Sequence, residues 1–152
     1  MSRLLPLEPS DKVALRFGPP GDTVELTYRE LAGGAAALVP QIVGCSRVAV
    51  HATATIHTAV GVVAGLLAGV PVVPLNPKLG ERELAHELTD AAPERVLAAP
   101  DADLPFDLPR IDIDLTADGP VPPEPPAADP ALVIYTSGTT GLPKGAVLSR
   151  RA

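Results

Sequence analysis

Aromatic side chains make up only 3% of the 152 residues. A core of ordinary size therefore has to be assembled from Val, Leu, Ile and Ala, which carry most of the 46% apolar content. Cysteine is equally scarce. The single Cys45 excludes an internal disulfide and fits a reducing compartment, so a cytoplasmic protein is expected. Nothing beside Cys45 favours a thiolate, and it reads as a small, buried or half-buried residue. Basic charge is short too: Lys and Arg total 12 against 18 Asp and Glu, a net charge of −6. No basic stripe exists to follow a phosphodiester backbone or an anionic bilayer, which argues against nucleic acid and membrane as partners. After Met1–Leu5 the residues Pro6, Glu8, Pro9 and Asp11 leave no apolar stretch for a secretory leader. The segment between Arg47 and Lys78 has no formal charge. However, Pro71 and Pro74 interrupt it, and His51, His57 and several Thr dilute it. A buried helix followed by a buried strand explains it better than a membrane span.

Proline, by contrast, is plentiful at 19 residues, and many fall between Ala117 and Pro130. That stretch reads as an extended surface connector that cannot enter a sheet interior. Upstream, Val13–Phe17 and Val24–Leu26 flank Gly18-Pro19-Pro20-Gly21 and predict an edge hairpin. Thr27 and Glu30 have capping-box spacing, with Leu26 and Leu31 placed as a hydrophobic staple. The helix they open carries Leu31, Leu38 and Ile42 on its stripe. Gly33 and Gly34 either weaken it or permit close packing. Further elements are predicted as a strand at 47–50, a helix at 54–68 ended by Gly69, a strand at 70–75 and a helix at 81–91. Strands at 95–98, 111–115 and 131–135 complete the series. Alternating strands and helices imply an α/β fold: an open, mostly parallel sheet with helices on both faces.

The most informative segment is Tyr135-Thr-Ser-Gly-Thr-Thr-Gly-Leu-Pro-Lys-Gly145. Gly138, Gly141 and Gly145 allow close backbone approach, and Thr136, Ser137, Thr139 and Thr140 add hydroxyl donors. Lys144 supplies a mobile charge, and Pro143 stiffens the exit. This composition suits a loop that wraps polyphosphate oxygens. The lysine precedes the last glycine, so the order is not that of a P-loop, and no Gly-x-Gly-x-x-Gly is present. Ala146-Val147-Leu148 predicts a returning strand, giving strand–loop–strand beyond the carboxyl end of the sheet. A long hairpin loop without a ligand is the alternative reading of the same composition.

The segment resembles the phosphate-binding signature of the acyl-adenylate-forming (AMP-binding) superfamily, which includes acyl-CoA synthetases, luciferases and peptide-synthetase adenylation domains. Ten positions match, with Leu142 at the free one. Leu26-Thr-Tyr-Arg-Glu-Leu31 and Gly69-Val-Pro-Val-Val-Pro-Leu-Asn-Pro77 are similar to two further segments of that family. The stretch from Val73 to Pro105 looks most like the malonyl-CoA synthetases. The resemblance implies ATP with Mg²⁺, a malonate-like carboxylate and coenzyme A as ligands of the intact enzyme. It implies two half-reactions: formation of acyl-AMP with loss of pyrophosphate, then transfer of the acyl group to the thiol.

Thr136, Ser137, Gly138, Thr139, Thr140, Gly141 and Lys144 are the implied nucleotide-binding residues. None is assigned an acid, base, nucleophile or metal-ligand role. Members of the family are expected to be several times longer. Residues 1–152 are therefore expected to form an incomplete N-terminal subdomain, inactive alone, with 117–130 as its connector and 135–145 as its phosphate loop. A non-catalytic phosphate-binding or interaction module is the alternative.

The remaining candidates carry less. His51, His57 and His86 have no carboxylate or cysteine at ligand spacing and read as structural or solvated. Asp112 and Asp114 read as a solvated strand edge. Arg150-Arg151 is too short for a nucleic-acid patch, but is expected to add favourable charge near the phosphate loop.

Overall fold

A computed structural model describes residues 8–137 and 141–152. The chain opens with the predicted hairpin: β1 (Val13–Phe17) pairs antiparallel with β2 (Val24–Thr27). Helix α1 (Tyr28–Ile42) follows without a linker because Thr27 ends the strand and caps the helix. Its hydroxyl accepts from the Glu30 amide at 3.2 Å, while the Glu30 carboxylate accepts from the Thr27 amide at 2.8 Å. The capping box thereby satisfies the Thr27 and Glu30 amides locally, while the Tyr28 and Arg29 amides donate to the Lys12 and Ser10 carbonyls. The Thr27 amide, and then the Thr27 hydroxyl at 2.9 Å, donate to the Glu30 carboxylate and hold its pKa below the usual range.

The main sheet has six strands in the order β6-β5-β3-β4-β7-β8. These are β3 (Val48–His51), β4 (Val72–Leu75), β5 (Val96–Ala98), β6 (Arg110–Asp112), β7 (Pro130–Thr136) and β8 (Lys144–Ser149). All neighbouring pairs are parallel except β7 with β8. Between them run α2 (Ile56–Ala68) and α3 (Glu81–Ala91). Alternation along the strands divides the core. Val48, Val50, Val72 and Leu97 join α1 and α2 on one face. Ala49, Val73, Leu75, Val96 and Val133 meet Leu84 and Ala91 of α3 on the other. The predicted open sheet with helices on both faces is therefore the observed architecture.

The differences from expectation are local. The helix predicted from residue 54 begins at Ile56, because the Thr58 hydroxyl in its first turn accepts from the Thr53 amide and donates to the Thr53 carbonyl, holding residue 53 in a turn ahead of it. The strand predicted from residue 70 begins at Val72, because the Val70 amide is used to close α2 on the Gly65 carbonyl. Strand β6 is shorter than predicted, yet the burial alternation continues, with Ile113 buried and Asp112 and Asp114 exposed.

The proline-rich connector runs over the surface and crosses α1 closely. The Gly119 amide donates to the Gly33 carbonyl at 3.0 Å. A Cβ on Gly33 would fall 2.1 Å from an Asp118 oxygen, and one on Gly119 would fall 2.7 Å from the Ala37 nitrogen. The mid-helix glycine is thus the docking groove for the connector, which offsets its poor helix propensity. No helix among the described residues is long and apolar enough to cross a membrane.

Candidate functional site

Strand β7 delivers its last residue, Thr136, to the carboxyl edge of the parallel sheet, and β8 returns from Lys144 directly opposite. Open α/β sheets place ligands at this edge. Of the candidate phosphate-loop residues, Thr136, Ser137, Gly141 and Lys144 are described, and all four are exposed. Gly138, Thr139 and Thr140 lie outside the described residues. Thr136 and Ser137 open onto a cavity of about 400 Å³. Its walls are Gly141 and Pro143 on the loop's exit, Asn76 just after β4, and Glu83 and Glu87 on α3. Gly141 has a positive φ of 158°, which L side chains rarely adopt.

The hairpin is fastened to α3 by side chains. The Tyr135 hydroxyl donates to an Asp90 carboxylate oxygen at 2.6 Å. Burial, and then this bond to Asp90, push the phenol's ionisation far above its ordinary range, so it stays a donor. His86 Nε2 lies 2.7 Å from the Pro143 carbonyl oxygen. Because a carbonyl can only accept, the proton sits on Nε2. The imidazole also stands edge-on to the Tyr135 ring, with centroids 6.3 Å apart and planes at 84°. Glu87, on the same helix, is buried, and burial raises its carboxyl pKa. His86 charge opposes that rise and Glu83 adds to it.

Gly145 has a different role from the one its place in the loop suggests. It lies in β8, paired with Tyr135, and it is not among the described positive-φ glycines. A Cβ there would meet Tyr135 Cζ at 3.1 Å and Val133 Cγ1 at 3.2 Å. Its missing side chain makes room for the tyrosine ring.

Arg150 also departs from expectation. The sequence placed its charge near the phosphate loop, but the register puts it at the other end of β8, beyond the Pro130–Ser149 pair. Only 5% of it is exposed. It donates to the Leu66 carbonyl at 2.5 Å and pairs with Glu124 at 3.2 Å, tying the hairpin base to α2 and the connector. A guanidinium this deep is paired because leaving it alone would be too costly.

The other candidates stay apart from the cavity. His51 is buried at the end of β3, and burial, then the Arg110 charge, lower its pKa. Asp112 pairs with Arg110 at 2.6 Å, and Asp114 accepts from the Thr116 amide at 2.8 Å. Cys45 is half-buried and free. No group of three or more His, Cys, Asp or Glu that could hold a metal ion occurs among the described residues. The sequence reading missed His86, Asp90, Glu83 and Glu87 as neighbours of the loop. Their one visible signal is position. With Leu84 and Ala91 turned to the core, residues 83, 86, 87 and 90 share the adjoining stripe of α3.

A mostly parallel sheet that ends in a strand–loop–strand hairpin, preceded by an antiparallel hairpin, is the N-terminal subdomain fold of adenylate-forming enzymes. The family model described as AMP-binding enzyme matches residues 6–152, and the chain belongs to that family. A solved malonyl-CoA ligase, in a ternary product complex with methylmalonyl-CoA and AMP, is 55% identical with a TM-score of 0.86. The match covers 95% of this chain and 31% of that one. The isonitrile lipopeptide synthase of Mycobacterium tuberculosis is 36% identical over 139 residues, covering 83% of this chain and 6% of the synthase. The sulfoacetate–CoA ligase of Cupriavidus necator is 42% identical over 74 residues, covering 47% of this chain and 14% of the ligase. The chain thus spans under a third of the length of each of these relatives.

Proposed function

We propose that the chain supplies the phosphate-gripping side of an ATP-dependent acid–thiol ligase that activates a short, malonate-like carboxylate as acyl-AMP and passes it to coenzyme A. The observation that carries this reading is the set of exposed donors at the sheet's carboxyl edge: Thr136 and Ser137 on the cavity wall, and Lys144 paired opposite Thr136 on β8. In the first half-reaction a carboxylate oxygen attacks the α-phosphorus, and the bond to the β-phosphate oxygen breaks. Pyrophosphate leaves with an added negative charge. Hydroxyl donors and an ammonium group fixed where that charge accumulates stabilise the departing group without reorganising. The loop holds and orients; no proton transfer is required of it.

Mg²⁺ would supply further charge neutralisation at the same phosphates. The described residues provide hydroxyl oxygens but no carboxylate cage, a donor set that fits a cation carried in on the nucleotide. The acid is inferred from relatives. Both ligases compared above take their names from short acids that carry a second anionic group.

Contacts confined to the phosphates correspond to an ATP affinity of about millimolar, roughly −4 kcal/mol. Titration of the 152-residue chain with ATP should give that value, and Lys144→Ala should weaken it about tenfold, the worth of one charge-assisted hydrogen bond. Micromolar binding, or undiminished binding by Lys144→Ala, contradicts the reading. Carried in a protein of the relatives' full length, the chain should support malonate-dependent pyrophosphate release. There Lys144→Ala should lower the rate by a factor on the order of 10²–10³.

A further inference from the structure

We propose that α3 is a clamp that sets the width of the phosphate loop, with His86 and Asp90 as its two positioning residues. The inference deepens the phosphate-gripping reading above and rests on it. The loop has two legs, β7 entering and Pro143 leading into β8. Each leg is held by a different turn of the same helix. Asp90 takes the Tyr135 hydroxyl on the entering leg at 2.6 Å, and His86 takes the Pro143 carbonyl on the leaving leg at 2.7 Å.

The spacing suits the task. Residues four apart on a helix are separated by about 6 Å of rise. Paired strands lie about 4.8 Å apart. Two side chains one turn apart can therefore reach both legs of a hairpin from below.

The two contacts are also coupled to each other. The imidazole packs edge-on against the tyrosine ring that Asp90 holds. Opposite, Gly145 lies directly against that ring. Pro143 immediately precedes Lys144, so the carbonyl that His86 fixes belongs to the peptide unit that orients the lysine. Neither His86 nor Asp90 reaches the cavity mouth where phosphate would lie. His86 acts through the Pro143 carbonyl and Asp90 through the Tyr135 side chain.

The test compares the wild-type chain with His86→Leu, His86→Gln, Asp90→Leu and Asp90→Asn. Each is titrated with ATP while the backbone amides of Thr136, Ser137, Gly141 and Lys144 are followed by NMR. Amide hydrogen exchange of Lys144 and Gly145 is measured without ligand, and Tm is recorded for each protein. Wild-type shifts at these amides test the phosphate-gripping reading by themselves. His86→Leu and Asp90→Leu should each weaken ATP about fivefold, the worth of one ordinary hydrogen bond, and should speed exchange at Lys144 and Gly145 by a similar factor. His86→Gln keeps a donor and Asp90→Asn keeps an acceptor, so both should restore most of the lost affinity and protection.

Wild-type shifts with unchanged affinity in the leucine variants overturn the clamp and leave the phosphate reading standing. Absence of wild-type shifts overturns the phosphate reading, and the exchange data then decide the clamp. Unchanged exchange in both leucine variants overturns it, whereas faster exchange reversed by Gln and Asn upholds it. Losses that track Tm and are not rescued by Gln or Asn indicate general destabilisation, and also overturn it.

Discussion

Replacing Gly145 with alanine adds a single methyl group at an exposed strand position, where such a change is normally harmless. Here the methyl carbon would lie 3.1 Å and 3.3 Å from two atoms of the Tyr135 ring and 3.2 Å from Val133 Cγ1. Relief requires one neighbour to retreat by a few tenths of an ångström. The ring is held at its far end by Asp90 and at its edge by His86. Val133 is 5% exposed, inside the core beneath α3. Overpacking of this kind costs about 1–3 kcal/mol. The loss of a glycine from the unfolded chain returns about 0.4–1 kcal/mol. Gly145→Ala should therefore destabilise by about 1–2 kcal/mol, lowering Tm by roughly 2–8 °C for a chain of this length.

The cause can be isolated by adding Tyr135→Ala, which removes two of the three close contacts. In that background Gly145→Ala should cost almost nothing, a coupling of about 1 kcal/mol or more across the double-mutant cycle. Urea unfolding of the four proteins measures it. Additivity to within about 0.5 kcal/mol would refute the claim that this glycine exists to seat the tyrosine.

Three further outcomes follow from the same geometry. Glu87 binds its proton more tightly folded than unfolded, so its contribution is full below the ordinary carboxylate pKa and is lost as pH rises through the raised value. Glu87→Gln should therefore gain Tm over wild type at about pH 7 and not at about pH 4; an equal difference at both pH values contradicts the buried-acid account. Arg150→Met removes the partner of the Leu66 carbonyl and should cost about 1–3 kcal/mol, while Glu124→Gln should cost less, because Glu124 reaches solvent. Denaturation midpoints that reverse this ranking would place the anchor elsewhere. Thr27→Ala should lose about 1 kcal/mol through its cap, and Glu30→Ala should lose part of the same amount, so the two losses should not add.

What could be read from the residues alone was whatever is decided within a few positions along the chain. Thr27 and Glu30 announce the start of α1, and Gly69 the end of α2, because caps are local chemistry. The start of α3 was legible from Gly80 and the acidic first turn, Glu81 and Glu83, although Gly80 provides no side-chain cap. Strand β6 was overestimated, since alternation at 111–115 reports which side faces the core and not whether a neighbouring strand continues to pair. The partners of His86 and Arg150 were not legible: His86 is the structural residue it reads as, bonded to the Pro143 carbonyl, whereas Arg150 lies away from the loop it was expected to serve. The sequence shows that each is a polar residue on or beside a regular element. Whether it faces water, a carbonyl or a ligand depends on which distant segment lies across it. For His86 that segment is the loop exit, 57 residues away, and for Arg150 it is the end of α2, 84 residues away.

The phosphate segment itself divides in two once the register is known. Thr136, Ser137 and Lys144 are exposed, whereas Tyr135, Pro143 and Gly145 are used to hold the hairpin. The division matters because β7 is not strongly tied to the sheet by its own ladder. Its pairing with β4 registers at one pair, Val72 with Leu132. A hairpin attached so briefly would be free to pivot about that point if nothing else held it. Two sets of side chains prevent this, one at each end. Arg150 fixes the base through Leu66 and Glu124, and α3 fixes the tip through His86 and Asp90. Preorganised donors aid catalysis only if the backbone that carries them does not move as charge develops. On the phosphate-gripping reading proposed above, the stiffness such a loop needs would come from residues outside its glycine-rich sequence, which no phosphate would touch.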